Sequence, residues 1–248
     1  MNLIEKTNVN LEKPKFKEGK LKSGIVYPEI MEIKAGETVL NVGCGDGVQA
    51  IIYPVHRMVG VDIDPEQIKL ANQVAKYYGL NLETIECNVE AIPLTEKFDK
   101  VIAIDIIEHV IHPDKVLSEI KRLMKPDAEL LITFPAMHDK WENLFRFIGR
   151  NILRRKGKTV YKEGFDPREH QYNYSVKKWF GILNEAGLKI KEYRATTLFP
   201  PLHYLGFPRF WFSNKLIHSI DRFLCKIFKR WGQAVVCVCI IKDDKGSI

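Results

Sequence analysis

The stretch Thr38-Val39-Leu40-Asn41-Val42-Gly43-Cys44-Gly45-Asp46-Gly47 decides the fold. Its first five residues form a short run rich in β-branched and apolar side chains, the pattern of a strand buried on both faces of a parallel sheet. Glycines 43, 45 and 47 then let the chain turn sharply and admit a ligand close to the backbone, with N–H groups expected as donors. A second run, Met58-Val59-Gly60-Val61-Asp62, ends in an acid. Ligands of open α/β sheets sit beyond the carboxyl ends of the strands, so both strand tips are where chemistry is expected. The Asp62 carboxylate can accept two hydrogen bonds from the vicinal hydroxyls of a ribose, which implies an adenosine-containing cofactor.

Glycine spacing separates the candidates. A dinucleotide pyrophosphate site has G-x-G-x-x-G, whereas here the third glycine falls one place early and Val48 stands where it would be. A nicotinamide-dependent oxidoreductase therefore ranks behind other adenosine cofactors.

Outward from this stretch, strands and helices alternate. Asp64 caps, Pro65 suits the first helical position, and Ile68, Ala71, Ala75 and Tyr78 share one helical face before Gly79. Strands are expected over Glu83–Cys87, Val101–Asp105 and Glu129–Phe134. A helix from about Pro113 turns Val116, Leu117, Ile120, Leu123 and Met124 inward until Pro126. Another helix spans Ser175–Ala186 on Val176, Trp179, Phe180 and Leu183, closed by Gly187, and a last strand covers Gly232–Ile241. The fold class is α/β, a doubly wound, mostly parallel sheet. Residues 1–34 are lysine-rich without a sustained period and are expected to form an arm, leaving 35–248 as one domain.

Composition narrows the function classes. With 248 residues, 46% hydrophobic and 28% charged, the chain is globular, and no stretch nears the roughly 20 consecutive apolar residues of a spanning helix. The first residues carry charges but no apolar stretch, so no secretory leader is expected and the cytoplasm is the expected location. Five cysteines without a CxxC pair speak for reduced thiols and against structural zinc. The formal charge of +7 is concentrated: residues 140–158 carry seven basic side chains against one acid, and residues 199–231 six against one. Both segments suit contact with something anionic.

The Val39–Gly47 and Val59–Asp64 segments closely resemble the first two motifs of the class I S-adenosylmethionine-dependent methyltransferases. The resemblance continues through Glu86-Cys87-Asn88-Val89-Glu90-Ala91-Ile92-Pro93, Phe98–Val110 and Leu123–Thr133, in the family's order. Within the family, the chain is most similar to the quinone-biosynthesis and small-molecule group. The resemblance implies a seven-stranded Rossmann-like methyltransferase sheet whose last strand, Gly232–Ile241, runs antiparallel. It leaves about 136–169 and 195–231 as cap segments without counterpart.

The cofactor implied is S-adenosylmethionine. By the resemblance, Gly43, Cys44 and Gly45 shape the methionine pocket, Asp62 holds the ribose and Ile63 packs on adenine. Asn88 with Val89 reads the adenine edge, and Asp105 and Ile106 line the floor near the sulfonium. Asn41 and Asn88 stand where the family usually has Asp, so two acceptors remain without their charges. Cys44 and Cys87 also read as small buried side chains. The reaction implied is methyl transfer to oxygen or carbon of a small-molecule or lipid-like acceptor, with no metal required. His109 is the first candidate for a general base and His170 the second. Glu108-His109 has a structural reading too, Asp105-x-x-Glu108-His109 a weaker metal-site reading, and His170 a reading as an element that fixes the next helix. The alternative of another class is a non-catalytic S-adenosylmethionine-binding regulatory or scaffolding protein.

The basic segments are amphipathic. Trp141, Leu144, Phe145, Ile148 and Ile152 share one helical face. Leu216, Ile217, Ile220, Phe223, Leu224, Ile227 and Phe228 share another behind a cap at Ser213. Such helices either cover the acceptor pocket or lie in an anionic membrane interface. Nucleic acid ranks lower, because the basic residues interleave with aliphatic rather than stacking side chains.

Overall fold

The structure is a computed structural model that describes residues 30–53, 57–136, 147–148, 172, 174–196, 215–230, 232 and 234–242. Seven strands form one sheet: β1 (Thr38–Val42), β2 (Arg57–Asp62), β3 (Leu82–Glu86), β4 (Phe98–Ala103), β5 (Met124–Pro135), β6 (Leu188–Ala195) and β7 (Ala234–Ile241). Their order across the sheet is β3-β2-β1-β4-β5-β7-β6. β1 to β5 pair in parallel, and β7 runs antiparallel to both β5 and β6. The order reverses at β1, between β2 and β4, which is the switch point where an α/β sheet opens a crevice.

Five helices are described: α1 (Val48–Ile52), α2 (Pro65–Tyr78), α3 (Pro113–Leu123), α4 (Val176–Glu185) and α5 (Lys215–Ile227). The expected punctuation acts as read. Asp64 accepts the Glu66 N–H at 2.9 Å, Pro65 opens α2, and Gly79 closes it at φ 62°. Ser175 caps α4 by accepting the Lys178 N–H at 3.3 Å. The buried stripe of α2 is rotated from the expected one. Leu70, Ala71, Val74 and Ala75 are buried, while Ile68 and Tyr78 are half-buried: Ala71 and Ala75 pack with Met58 of β2 and Leu82 of β3, and Leu70 and Val74 with Ile51 of α1 and Tyr78.

Two layers of core flank the sheet. One side gathers Leu40, Val42, Val101, Leu117, Ile120, Leu130 and Trp179, and the other Val39, Met58, Ala71, Ile102 and Leu131. Alternate residues of each strand therefore feed opposite layers, as the continuous apolar runs require. Ile30 and Met31 are buried in the second layer, so the body begins before residue 35 and the expected arm is shorter than 1–34. Residues 1–29 of that arm lie outside the described residues, as do His170, Ser213 and most of both cap segments.

β6 and α1 carried no expectation. β5 begins at Met124, directly after α3, rather than at Glu129, because Met124 pairs with Phe98 before the register shifts to Lys100 opposite Glu129.

Candidate cofactor and active site

Three strand tips meet on one edge of the sheet: β1 with its glycine turn, β2 with Asp62, and β4 with Asp105. The turn is tightly wound. Gly43, Gly45 and Gly47 have φ of 70°, 50° and 77°, backbone that side chains avoid. A Cβ on Gly43 would sit 2.8 Å from Ile106, so this glycine lets the β4 tip close over the β1 tip.

The expected N–H donors are mostly spent within the fold. Gly43 and Cys44 both donate to the Val61 carbonyl, at 2.8 and 2.9 Å, and Gly47 donates to Cys44. Gly45 donates to Asp62 Oδ2 at 2.8 Å, while the Asp64 N–H donates to Asp62 Oδ1 at 3.0 Å. The turn thus supplies shape and free space rather than a nest of donors. It also fixes the Asp62 carboxylate, each of whose oxygens keeps a lone pair for a ribose hydroxyl. A Cβ on Gly45 would meet nothing nearer than Gln67 Oε1 at 4.0 Å, so the space beside this residue is open for a ligand.

Cys44 turns its side chain into the sheet. Its thiol is buried against Gly60, where a Cβ would lie 2.9 Å from Sγ, and burial followed by the nearby Asp62 charge pushes its pKa up to about 12. The Cys44 side chain serves packing, as its reading as a small buried residue expects. Ile63 behaves differently: it is 66% exposed just past Asp62, an uncovered apolar side chain beside the anchored carboxylate. Asn88 is exposed and its Oδ1 already accepts the Glu90 N–H at 2.9 Å, leaving one lone pair and the amide N–H groups for a base edge. Val89 beside it is buried in the core.

The β4 tip is strained. Asp105 is the one non-glycine among the described residues with positive φ, at 52°. Thr133 of β5 holds it from both ends: the Asp105 N–H donates to Thr133 Oγ1 at 2.8 Å, and that hydroxyl donates to Asp105 Oδ1 at 2.9 Å. Desolvation pushes the Asp105 carboxyl above its ordinary range, against the opposing pull of the Thr133 hydroxyl and His109. Glu108 is 3% exposed with Oε2 unpartnered; desolvation, then the Asp105 charge, pushes its pKa up to about 8. His109 is partly exposed, with Nε2 4.0 Å from Glu108 Oε1. Asp105, Glu108 and His109 therefore meet at one tip, as the spacing implied, and Thr133 is the member that sequence reading missed. Among the described residues no group of three His, Cys, Asp or Glu side chains is arranged to hold a metal ion.

Asn41 is a buried polar residue two positions before the glycine turn. It is 1% exposed on β1, and neither Oδ1 nor Nδ2 has a hydrogen-bond partner. A buried orphaned amide is costly and marks a place where a ligand or water completes the structure. The anchored Asp62 carboxylate, the open space beside Gly45 and the orphaned Asn41 amide together fit an adenosyl group carrying an amino-acid tail.

A family model for a methyltransferase domain matches residues 33–187, more than half of the chain. The chain belongs to this methyltransferase family. S-adenosylmethionine is the cofactor that such enzymes use, and the strand-tip residues fit it. A ubiquinone biosynthesis O-methyltransferase of Haemophilus ducreyi is 34% identical over 106 residues, covering 40% of this chain and 45% of that one. The Pseudomonas fluorescens Pf-5 protein of the same name is 27% identical over 173 residues, 67% of this chain and 70% of that one. The chain thus spans less than half of the first relative. A solved SAM-dependent methyltransferase from Aquifex aeolicus superposes with a TM-score of 0.56 at 18% identity, over 97% of this chain and 99% of that one, which shows the shared fold. No helix among the described residues is long and apolar enough to cross a membrane.

Proposed function

We propose that this methyltransferase moves a methyl group from S-adenosylmethionine to oxygen or carbon of a small-molecule or lipid-like acceptor. The observation that carries the reading is the lock between the first two strand tips, Gly45 N–H to Asp62 Oδ2 at 2.8 Å, beside the unpartnered Asn41 amide. Bound there, the cofactor supplies a methyl group on a positively charged sulfur, which leaves as a neutral thioether. The protein's part is orientation. Asp62 takes the ribose hydroxyls, Ile63 packs on the adenine, Asn88 with the Val89 backbone meets its edge, and Asp105 and Ile106 line the space near the sulfur.

For a hydroxyl acceptor, S-adenosylmethionine held by these residues would supply the methyl group, with its sulfur keeping the electron pair of the S–CH3 bond, and the acceptor oxygen would lose its proton. The hydroxyl proton then needs a base. His109, beside the largely protonated Glu108, is the proposed base at the β4 tip. Oxygen is favoured as the acceptor atom because two similar proteins are named as O-methyltransferases of ubiquinone biosynthesis.

Mass spectrometry of phenol and quinol acceptors, incubated with enzyme and cofactor, tests the reading. Methylated product with equimolar S-adenosylhomocysteine is expected, and His109→Ala should lower kcat more than KM. Cofactor binding with no product on acceptors of either chemistry would favour the non-catalytic binding protein instead.

A further inference from the structure

The loop that carries Glu108 and His109 follows β4 and enters α3 at Pro113. Thr133 ties its start at Asp105. Its end is tied at one peptide group, the one joining Ile111 to His112, and from both sides. The Ile111 carbonyl accepts the Tyr172 hydroxyl at 2.6 Å, and the His112 N–H donates to Glu90 Oε1 at 2.9 Å. Carbonyl and N–H of a trans peptide point in opposite directions, so Glu90 and Tyr172 grip the loop between them. Each bond polarises the peptide toward the other, which strengthens both. Ile111 and His112 are exposed, so water alone could satisfy this peptide. Holding it with a carboxylate and a phenol fixes its position.

Both grips are themselves anchored. Glu90 lies in a turn closed by Asn88, whose carbonyl accepts the Ala91 N–H and whose Oδ1 accepts the Glu90 N–H, each at 2.9 Å. Just beyond, the Ile92 N–H donates to Glu119 Oε2 at 2.9 Å, and Arg122 donates to the Ile92 and Leu94 carbonyls at 2.9 and 2.6 Å. The Asn88 turn is thus fastened to α3, and the Glu90 carboxylate meets the positive end of that helix. On the other side, the Tyr172 ring lies 5.0 Å from Tyr174, whose ring meets the buried Trp179 of α4 edge-on at 5.2 Å. The aromatic core of α4 therefore places the Tyr172 hydroxyl.

We propose that Glu90 and Tyr172 are positioning residues that set the place of His109 by holding the Ile111–His112 peptide between them. The turn proposed to meet the adenine and the loop that carries the proposed base then form one body. The inference rests on the role given to His109 above, but the grip can be read without any acceptor.

NMR of the full chain tests it, with the His109 ring signal identified by its loss in His109→Ala. Glu90→Ala and Tyr172→Phe should each move that signal, whereas Glu90→Gln, which keeps an acceptor oxygen, should return it close to its wild-type position. With catechol as the probe acceptor, kcat should fall about tenfold in the first two variants and recover in the third. S-adenosylmethionine affinity by calorimetry should stay within about twofold throughout, because the Asn88 turn keeps its own bonds and those to α3. Retained affinity also shows that the variants fold; were Glu90→Ala to misfold, Tyr172→Phe breaks the same grip from the other side. A His109 signal unmoved by both substitutions, or moved as far by Glu90→Gln as by Glu90→Ala, would overturn the inference. Failure of the proposed chemistry is marked separately: the wild type leaves catechol unmethylated, or His109→Ala keeps full kcat, while the ring signal still responds to Glu90 and Tyr172.

Discussion

The β1–β2 tip and the β4 tip lie side by side on one sheet edge, yet they are built in opposite ways. At the first, an acid is held by two backbone N–H groups and glycines create space without strain. At the second, Asp105 carries positive φ, Glu108 is buried with an unpartnered oxygen, and a single threonine from a neighbouring strand ties the backbone down. The difference teaches that binding geometry and charge placement are separate tasks here. One tip leaves open space beside an anchored carboxylate, and the other holds buried carboxyl groups at raised pKa.

The largest expected effect breaks the second tip. Glu108 keeps its proton in the folded state up to about pH 8, whereas in the unfolded chain it ionises from its ordinary value of 4.5. The folded state therefore binds more protons between those values, so stability is greatest below the lower value and falls as pH rises toward 8. At about 1.4 kcal/mol per pKa unit the loss is capped near 5 kcal/mol. Glu108→Gln should remove this slope, read as the difference between urea midpoints at the two ends of the window; parallel slopes in both proteins would contradict the assignment.

The next effect breaks the join between the tips. Gly43→Ala places a Cβ against Ile106 at a residue with φ 70°, so it should cost about 2–3 kcal/mol and loosen the cofactor space. Chemical denaturation reads the loss, and an unchanged midpoint would show that Ile106 yields freely. Smaller again, Thr133→Val removes the clamp on Asp105 and should cost about 1–2 kcal/mol. Its diagnostic readout is a pH–rate profile that moves while cofactor affinity stays; a profile that does not move would reduce Thr133 to packing.

The same contrast explains what was legible in the sequence. Strand runs, caps and glycine stops are local signals, and β1, β2, α2, α3, α4 and β7 were readable from them. Asp62 could be singled out because it ends a strand beside a glycine turn. Thr133 could not, because its partner Asp105 is distant in the chain and a lone threonine in an apolar strand carries no signal. β6 was missed because Lys189, Lys191 and Glu192 break its apolar run, which an outer strand paired only with β7 tolerates. α1 was missed because five residues are too few to show a helical period. The periodicity of α5 was clear, but period alone does not say which way a stripe points. That was decided by Asp221 and Cys225 turning inward and by Arg230 stacking on Phe180.

The central claim is that the first two strand tips grip one adenosyl sulfonium molecule between them. Titration calorimetry of S-adenosylmethionine into wild type and Asp62→Ala tests it most directly. Saturable binding to the wild type is predicted, weakened about a hundredfold in the variant through loss of the carboxylate's hydrogen bonds. No association with the cofactor or its demethylated product, or equal affinity in both proteins, would contradict it.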